Sequence, residues 1–305
     1  MDFIKQNHRN ESGIVYVLSK RDCDAVAQEL EAQGVSAQLY HARKGKKEKN
    51  EAYDSWMQSR THVIVATVAF GMGINKQDVR FVIHKELAMS IEGYVQESGR
   101  VGRDGKKATC LLLYSFDDYQ TVVKMIHRSR DKSEEALKAE MNSARAMLGY
   151  ASGLRYCRHT TLATWFGEDD LLPCAHNCDT CMRKPRAPHD TDVTQMTRAI
   201  IRAVRSAQLK GVNITALQLP SLLRGSTAVK LMAKGIQDVQ EYGSLKGNPF
   251  WSMERLQKLI IFLIVQEVLE LFVIVKNDLA VCYVQHGRVS DTVAERCLRI
   301  VWPEK

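Results

Sequence analysis

Two groups of residues in this 305-residue chain have the types and spacing to do chemistry. The first is Cys157, Cys174, Cys178 and Cys181. A C-x2-C step brings two thiolates to one ion from a single turn, and the other close pair completes a tetrahedron. Four soft sulfurs with no open position describe a closed structural zinc site, not a catalytic one. His159 and His176 lie near enough in sequence to replace one sulfur. The second group lies in QESGRVGRDG, residues 96–105: Gln96, Arg100 and Arg103, with glycines at 99, 102 and 105. Glycines let backbone and ligand approach closely, and the planar fork of arginine grips two phosphate oxygens while keeping its charge. The same spacing suits a surface loop whose arginines pair with Glu97 and Asp104.

The elements that must position these groups are readable from apolar patterning. Runs rich in β-branched residues at 13–19, 35–42, 61–67, 79–84 and 109–115 predict strands. Most are apolar on both faces, as in a parallel sheet covered by helices. Between them the pattern predicts helices over 20–34, with Ser19 as N-cap and Gly34 as terminator, over 46–57 and over 90–100. The last would stack Gln96 and Arg100 one turn apart. This is a three-layer α/β lobe. Residues 117–160 carry only helical signals, and residues 182–190, with two prolines, read as a linker. Helices at about 191–208, 215–223, 226–235 and 252–268, then two strands joined at Asn277-Asp278, predict a winged helix.

Composition bounds the partners. Lys and Arg number 43 against 35 Asp and Glu, a formal net charge of +8, which favours an anionic partner, most commonly nucleic acid. The start, MDFIKQNHRNES, has no apolar signal core, and the greasiest stretch, 259–275, is interrupted by Gln266, Glu267 and Glu270. The expectation is a reducing compartment without a membrane. Cys23, Cys110, Cys282 and Cys297, scattered in apolar surroundings, read as small core residues.

IVATVAFGMGINKQDVRFVIH (64–84) followed by SIEGYVQESGRVGRDG (90–105) resembles the RecQ family of DNA helicases. The likeness extends back through GIVYVLSKRDCDAVAQEL and LYHA and forward through the cysteines; LLRGSTAVKL is similar to the winged helix of the family's Bloom-type branch. The resemblance implies a second RecA-like lobe at 12–120 after a linker remnant at 1–11. It implies a helical hairpin and zinc-binding module at 121–184, a linker at 185–190, a winged-helix domain at 191–290 and a tail at 291–305. It implies that Arg103 is the arginine finger at the γ-phosphate of ATP with Mg²⁺, with Arg100 beside it and Gln96 in support. Ser19 and Thr67 would contact the DNA backbone. Gly71, Gly73 and Asn75 would couple nucleotide state to DNA grip, although the family usually has Asp where Asn75 stands. The four cysteines would hold structural Zn²⁺.

The 305 residues contain no G-x-x-x-x-G-K-[ST] and no D-E-x-H. The arginines are therefore expected to reach for ATP held by a first RecA-like lobe, in cis or in trans, and the chain is similar to the C-terminal half of such a helicase. The function implied is ATP-dependent 3′–5′ unwinding of single-stranded, forked or junction DNA in repair and recombination, in the nucleus of a eukaryote or the cytoplasm of a bacterium. The alternative is a non-catalytic DNA-junction-binding protein with a vestigial lobe. In the winged helix, Arg224, Ser226 and Lys230 are expected at phosphates, and Phe250 and Trp251 are candidates for base stacking.

Overall fold

The computed structural model describes residues 2–67, 70, 74–128, 132–153, 156–169, 172, 174–182, 189–277, 279–293 and 297–302. They form two compact units, Met1–Val122 and Val123–Lys305.

The first unit opens with α1 (Asp2–Asn7), β1 (Ser12–Tyr16), α2 (Lys20–Ala32), β2 (Ala37–Tyr40), α3 (Lys46–Met57) and β3 (Val63–Ala66). It continues through β4 (Val79–His84), α4 (Ile91–Ser98) and β5 (Thr109–Leu112) into α5 (Phe116–Arg128), which crosses the boundary. The five strands make one parallel sheet in the order β2-β3-β1-β4-β5. Alternation along β1 explains the two cores. Val15 and Val17 join Cys23, Val26, Leu30 and Phe81 on one face, while Ile14 and Tyr16 join Trp56, Ile64 and Phe70 on the other. The caps predicted for α2 are present: Ser19 accepts from the Asp22 N–H at 3.1 Å, and Gly34 turns left-handed at φ 78° just past the end.

Gly13 is a packing requirement of this sheet. A Cβ there would lie 2.1 Å from the Phe81 ring, and Phe81 is wholly buried. Gly13→Ala is therefore expected to cost at least about 1–3 kcal/mol, the usual range for overpacking a filled core, read as a lower urea midpoint.

The second unit holds α6 (Glu134–Ser152), α7 (Arg158–Trp165), α8 (Asp179–Met182), β6 (His189–Asp192), α9 (Thr194–Leu209), α10 (Leu219–Leu223) and α11 (Val229–Met232). A 3-10 turn at Ile236–Asp238 precedes α12 (Met253–Val265), β7 (Leu269–Lys276), β8 (Leu279–His286), α13 (Ser290–Val293) and β9 (Arg299–Trp302). β7 and β8 pair antiparallel over their whole length, with the turn at Asn277, whose φ is 48°. The core is built from Ile200, Val204, Leu219, Leu222, Leu223, Leu256, Leu259 and Leu263.

Three expectations change. The 226–235 helix shrinks to four residues, because the chain is extended at Ala228 (ψ 127°) and left-handed at Gly235 (φ 76°). Residues 189–190, read as linker, and 191–192, read as the start of a helix, form β6, which pairs with β9 in the stretch read as tail, His189 opposite Trp302. Cys110 and Cys297 are exposed rather than core residues, Cys110 because it lies on the edge strand β5. Cys23 and Cys282 are buried.

Candidate functional site

In a parallel sheet all strands end on one edge, and loops on that edge hold ligands. Ser19 follows β1 and Thr67 follows β3 on this edge. A cleft lined by Tyr16, Leu18, His84, Glu86, Ser90 and Glu97 lies between the ends of β1 and β4. The Ser19 hydroxyl caps α2, and Thr67 is 7% exposed, with its backbone carbonyl accepting from the Phe70 N–H at 3.0 Å.

The opposite edge carries the arginine loop. The Gly102 N–H donates to the carbonyl of Val79, the first residue of β4, at 2.9 Å. Gly102 has φ 61°, and a Cβ there would meet the Lys106 carbonyl oxygen at 2.8 Å, so only glycine fits this turn. Arg103, next along, is exposed. Its guanidinium donates to the Ile74 carbonyl at 2.9 Å and reaches the Asn75 side-chain oxygen at 3.5 Å. Asn75 is exposed too and accepts from Gln77 at 2.9 Å. Arg103 and Asn75, singled out separately in the sequence, are thus brought together. Gly71 and Gly73 lie outside the described residues.

Arg100 is placed differently from Arg103. α4 closes at Ser98 with Gly99 as its cap, so Gln96 and Arg100 do not share a helix face. Gln96 is exposed, whereas Arg100 is only 4% exposed. Arg100 lies against Tyr16 and Glu97 inside the lobe. Burial raises the Tyr16 phenol pKa far above its ordinary value, against the opposing pull of the Arg100 guanidinium. The Glu97 carboxylate accepts from His84 Nε2 at 2.7 Å, and the His84 ring stacks on Tyr16. Arg100 Nε and His84 Nδ1 are buried with no protein partner. The pairings suggested by a surface-loop reading are also redistributed: Asp104 accepts from Arg80 rather than from either loop arginine.

In the second unit the four cysteine sulfurs lie within 4.8 Å of one another, with Cys157 and Cys178 at 3.9 Å. A tetrahedral zinc with Zn–S bonds of about 2.3 Å has sulfur–sulfur edges of about 3.8 Å, so the donor set fits. Burial opposes ionisation of Cys178, but bonds from the Thr180 hydroxyl and the Arg158 N–H bring its thiol down to about 5. Arg158 also bonds the Tyr150 carbonyl and pairs with Asp179 at 2.8 Å, fastening the end of α6 to the cluster. His176 bonds the Cys181 carbonyl through Nδ1, and His159 is exposed; neither is needed as a ligand. Among the described residues these four cysteines are the only group of three or more side chains so gathered, and no described helix is long and apolar enough to cross a membrane.

In the winged-helix part, Arg224 donates to the carbonyls of Asn248 and Trp251 at 3.1 and 2.6 Å. Ser226 is half-buried and accepts from the Ala228 N–H, while Lys230 is exposed on α11. Val229 is 84% exposed and Leu231 is buried. Phe250 is exposed with the Arg255 guanidinium 4.3 Å from its ring centre, whereas Trp251 is buried.

Three family models match consecutive stretches: the helicase conserved C-terminal domain over residues 1–105, the RecQ zinc-binding domain over 116–182 and the RQC domain over 187–294. The RecQ-like DNA helicase BLM of Xenopus laevis is 33% identical over 98% of this chain and 23% of its own length. The ATP-dependent helicase SGS1 of Saccharomyces cerevisiae is 32% identical over 94% of this chain and 20% of its own. The ATP-dependent DNA helicase hus2/rqh1 of Schizosaccharomyces pombe is 37% identical over 76% of this chain and 17% of its own. The chain thus spans about a fifth of the length of these relatives. With a RecA-like lobe, a four-cysteine cluster and a winged helix in the order of those three models, the chain belongs to the RecQ family of helicases.

Proposed function

We propose that this chain is the part of an ATP-dependent 3′–5′ DNA helicase that completes the ATP site and grips DNA, acting in repair and recombination in the nucleus. The observation that carries the reading is Arg103: an exposed guanidinium between two left-handed glycines, held at the starting edge of the sheet beside Asn75. Its role is to stabilise negative charge developing in phosphoryl transfer. The residues here fit one share of an ATP site. ATP with Mg²⁺ supplies the phosphoryl group and its bridging cation, and the phosphate loop and Mg²⁺ carboxylates belong to a first RecA-like lobe. Arg100, with its charge buried beside Tyr16, orders the loop from within. Gln96 and Asn75 flank the finger, and Ser19 and Thr67 on the opposite edge face the DNA backbone. Zinc held by Cys157, Cys174, Cys178 and Cys181 would tie the start of α7 to α8 and the loop between them, and would take no part in chemistry.

DNA contact in the winged helix falls to Lys230, since the Arg224 guanidinium is engaged with two carbonyls. Lys230→Ala is expected to weaken binding to forked DNA evenly across sequences and to lower the log–log salt slope by about 1. Arg224→Ala is expected to lower the unfolding midpoint and leave that slope unchanged.

A second reading, a DNA-junction-binding protein with a vestigial lobe, draws on Asn75 standing where the family usually has Asp. DNA-stimulated ATP turnover by the chain with an added RecQ first lobe separates the two. Turnover dependent on Arg103 supports the first reading, and tight DNA binding without turnover supports the second.

A further inference from the structure

We infer that Arg80 is the positioning residue of the arginine loop. This rests on the reading of Arg103 as the finger. Arg80 is the second residue of β4, and its side chain is 12% exposed. Its guanidinium donates to both oxygens of Asp104 at 2.7 Å, to the Lys107 carbonyl at 3.3 Å, and to the carbonyls of Asp78 and Gln77 at 3.2 and 3.4 Å. The Asp104 carboxyl is held below its ordinary pKa, chiefly by the bond from Arg80, and it also accepts from the Lys106 N–H.

The consequence follows from where these bonds fall. The loop is fastened to β4 on the near side of Arg103 by the Gly102–Val79 backbone bond and on the far side by Arg80 through Asp104 and Lys107. The same guanidinium ties down residues 77 and 78, which follow Ile74 and Asn75, the two residues that receive the Arg103 tip. One side chain therefore fixes both the root of Arg103 and the surface on which it rests. Lysine cannot reproduce this, because one ammonium nitrogen cannot serve Asp104 together with the Asp78, Lys107 and Gln77 carbonyls that Arg80 reaches through three separate nitrogens. Without the fastening, a left-handed loop flanked by Gly102 and Gly105 is free to wander. A displacement of about 1 Å at a catalytic charge costs about 10²-fold in rate.

The test uses this chain with an added RecQ first lobe, and measures DNA-stimulated kcat and the KM for ATP. Arg80→Ala is expected to lower kcat about 10²-fold with KM little changed. Arg80→Lys is expected to recover only part of this, and Arg80→Ala should add no loss once Arg103 is alanine. If Arg80→Ala fails to fold, Asp104→Asn carries the test, since it keeps the shape and removes the charge. A readout that needs no turnover is the side-chain Nε–H signal of Arg103 in nitrogen-15 spectra of the chain alone, expected to be ordered in the native protein and averaged in either variant. Wild-type kcat and an ordered Arg103 in both variants, with turnover lost in Arg103→Ala, would overturn the positioning role and leave the finger intact. Full turnover in Arg103→Ala would overturn both.

Discussion

Arg103→Ala is expected to reduce ATP turnover by about 10³–10⁵-fold in the reconstituted enzyme, the range over which an arginine finger acts. DNA affinity should stay nearly unchanged. Two features of the structure dictate this separation. Arg103 is exposed and packs into no core, so its removal leaves the lobe intact. It also lies at the starting edge of the sheet, whereas Ser19 and Thr67 follow strand ends at the other edge. Arg100→Ala should behave in the opposite manner. Removing a guanidinium that is 4% exposed leaves the buried Tyr16 phenol without its partner, and the expected loss is about 1–3 kcal/mol of lobe stability. A urea titration of the two variants distinguishes them: an unchanged midpoint for Arg103→Ala and a lowered one for Arg100→Ala. Equal loss of turnover and DNA binding in Arg103→Ala would argue against the finger.

The second large effect concerns zinc. Structural zinc contributes about 10–16 kcal/mol in small metal-nucleated folds, because the site exists only when the chain is folded around it. Among the described residues of the segment from Cys157 to Cys181, α7 contains no buried residue and α8 is a single turn. Chelation is therefore expected to unfold this segment, read as new protease cleavage between Tyr156 and Met182, while the first unit stays resistant. Cys178→Ser should do the same without chelator. Metal analysis should return one zinc per chain, and a value well below one would remove the site. Arg158 gives a graded version. It bonds the Tyr150 carbonyl and pairs with Asp179, so Arg158→Ala is expected to loosen the cluster from α6 while leaving four sulfurs to bind metal.

Local signals made much of this legible in the sequence. β1, β3 and β4 are legible because each is a short β-branched run buried almost throughout, the edge strands β2 and β5 because they are short apolar runs between helical patterns, and α2 because Ser19 and Gly34 are chemically specific caps. The cysteine cluster is legible because its C-x2-C step is itself the geometry. What failed depended on distant partners. Arg100 looks like a neighbour of Arg103 along the chain, but its burial is set by Tyr16, 84 positions away. Arg80 lies within the 64–84 stretch but next to no residue whose type marks a role for it, and its partners Asp104 and Lys107 lie 24 and 27 positions later. The β6–β9 pair joins four-residue strands more than 100 positions apart, with no alternation long enough to register. Ser226 and Thr227 look like a helix start, but their segment stays extended and the helix begins only at Val229.

The most direct test of the central claim is DNA-stimulated ATP hydrolysis by the purified chain, first alone and then with a RecQ first lobe. Turnover that requires the added lobe, and that disappears in Arg103→Ala, is the predicted result: these residues complete an ATP site whose phosphate loop lies in another lobe. Turnover by the chain alone would contradict the account, because it would require a nucleotide site that the sequence motifs do not provide. Absence of turnover with the lobe present, with tight DNA binding retained, would contradict it equally and assign the chain to DNA binding alone.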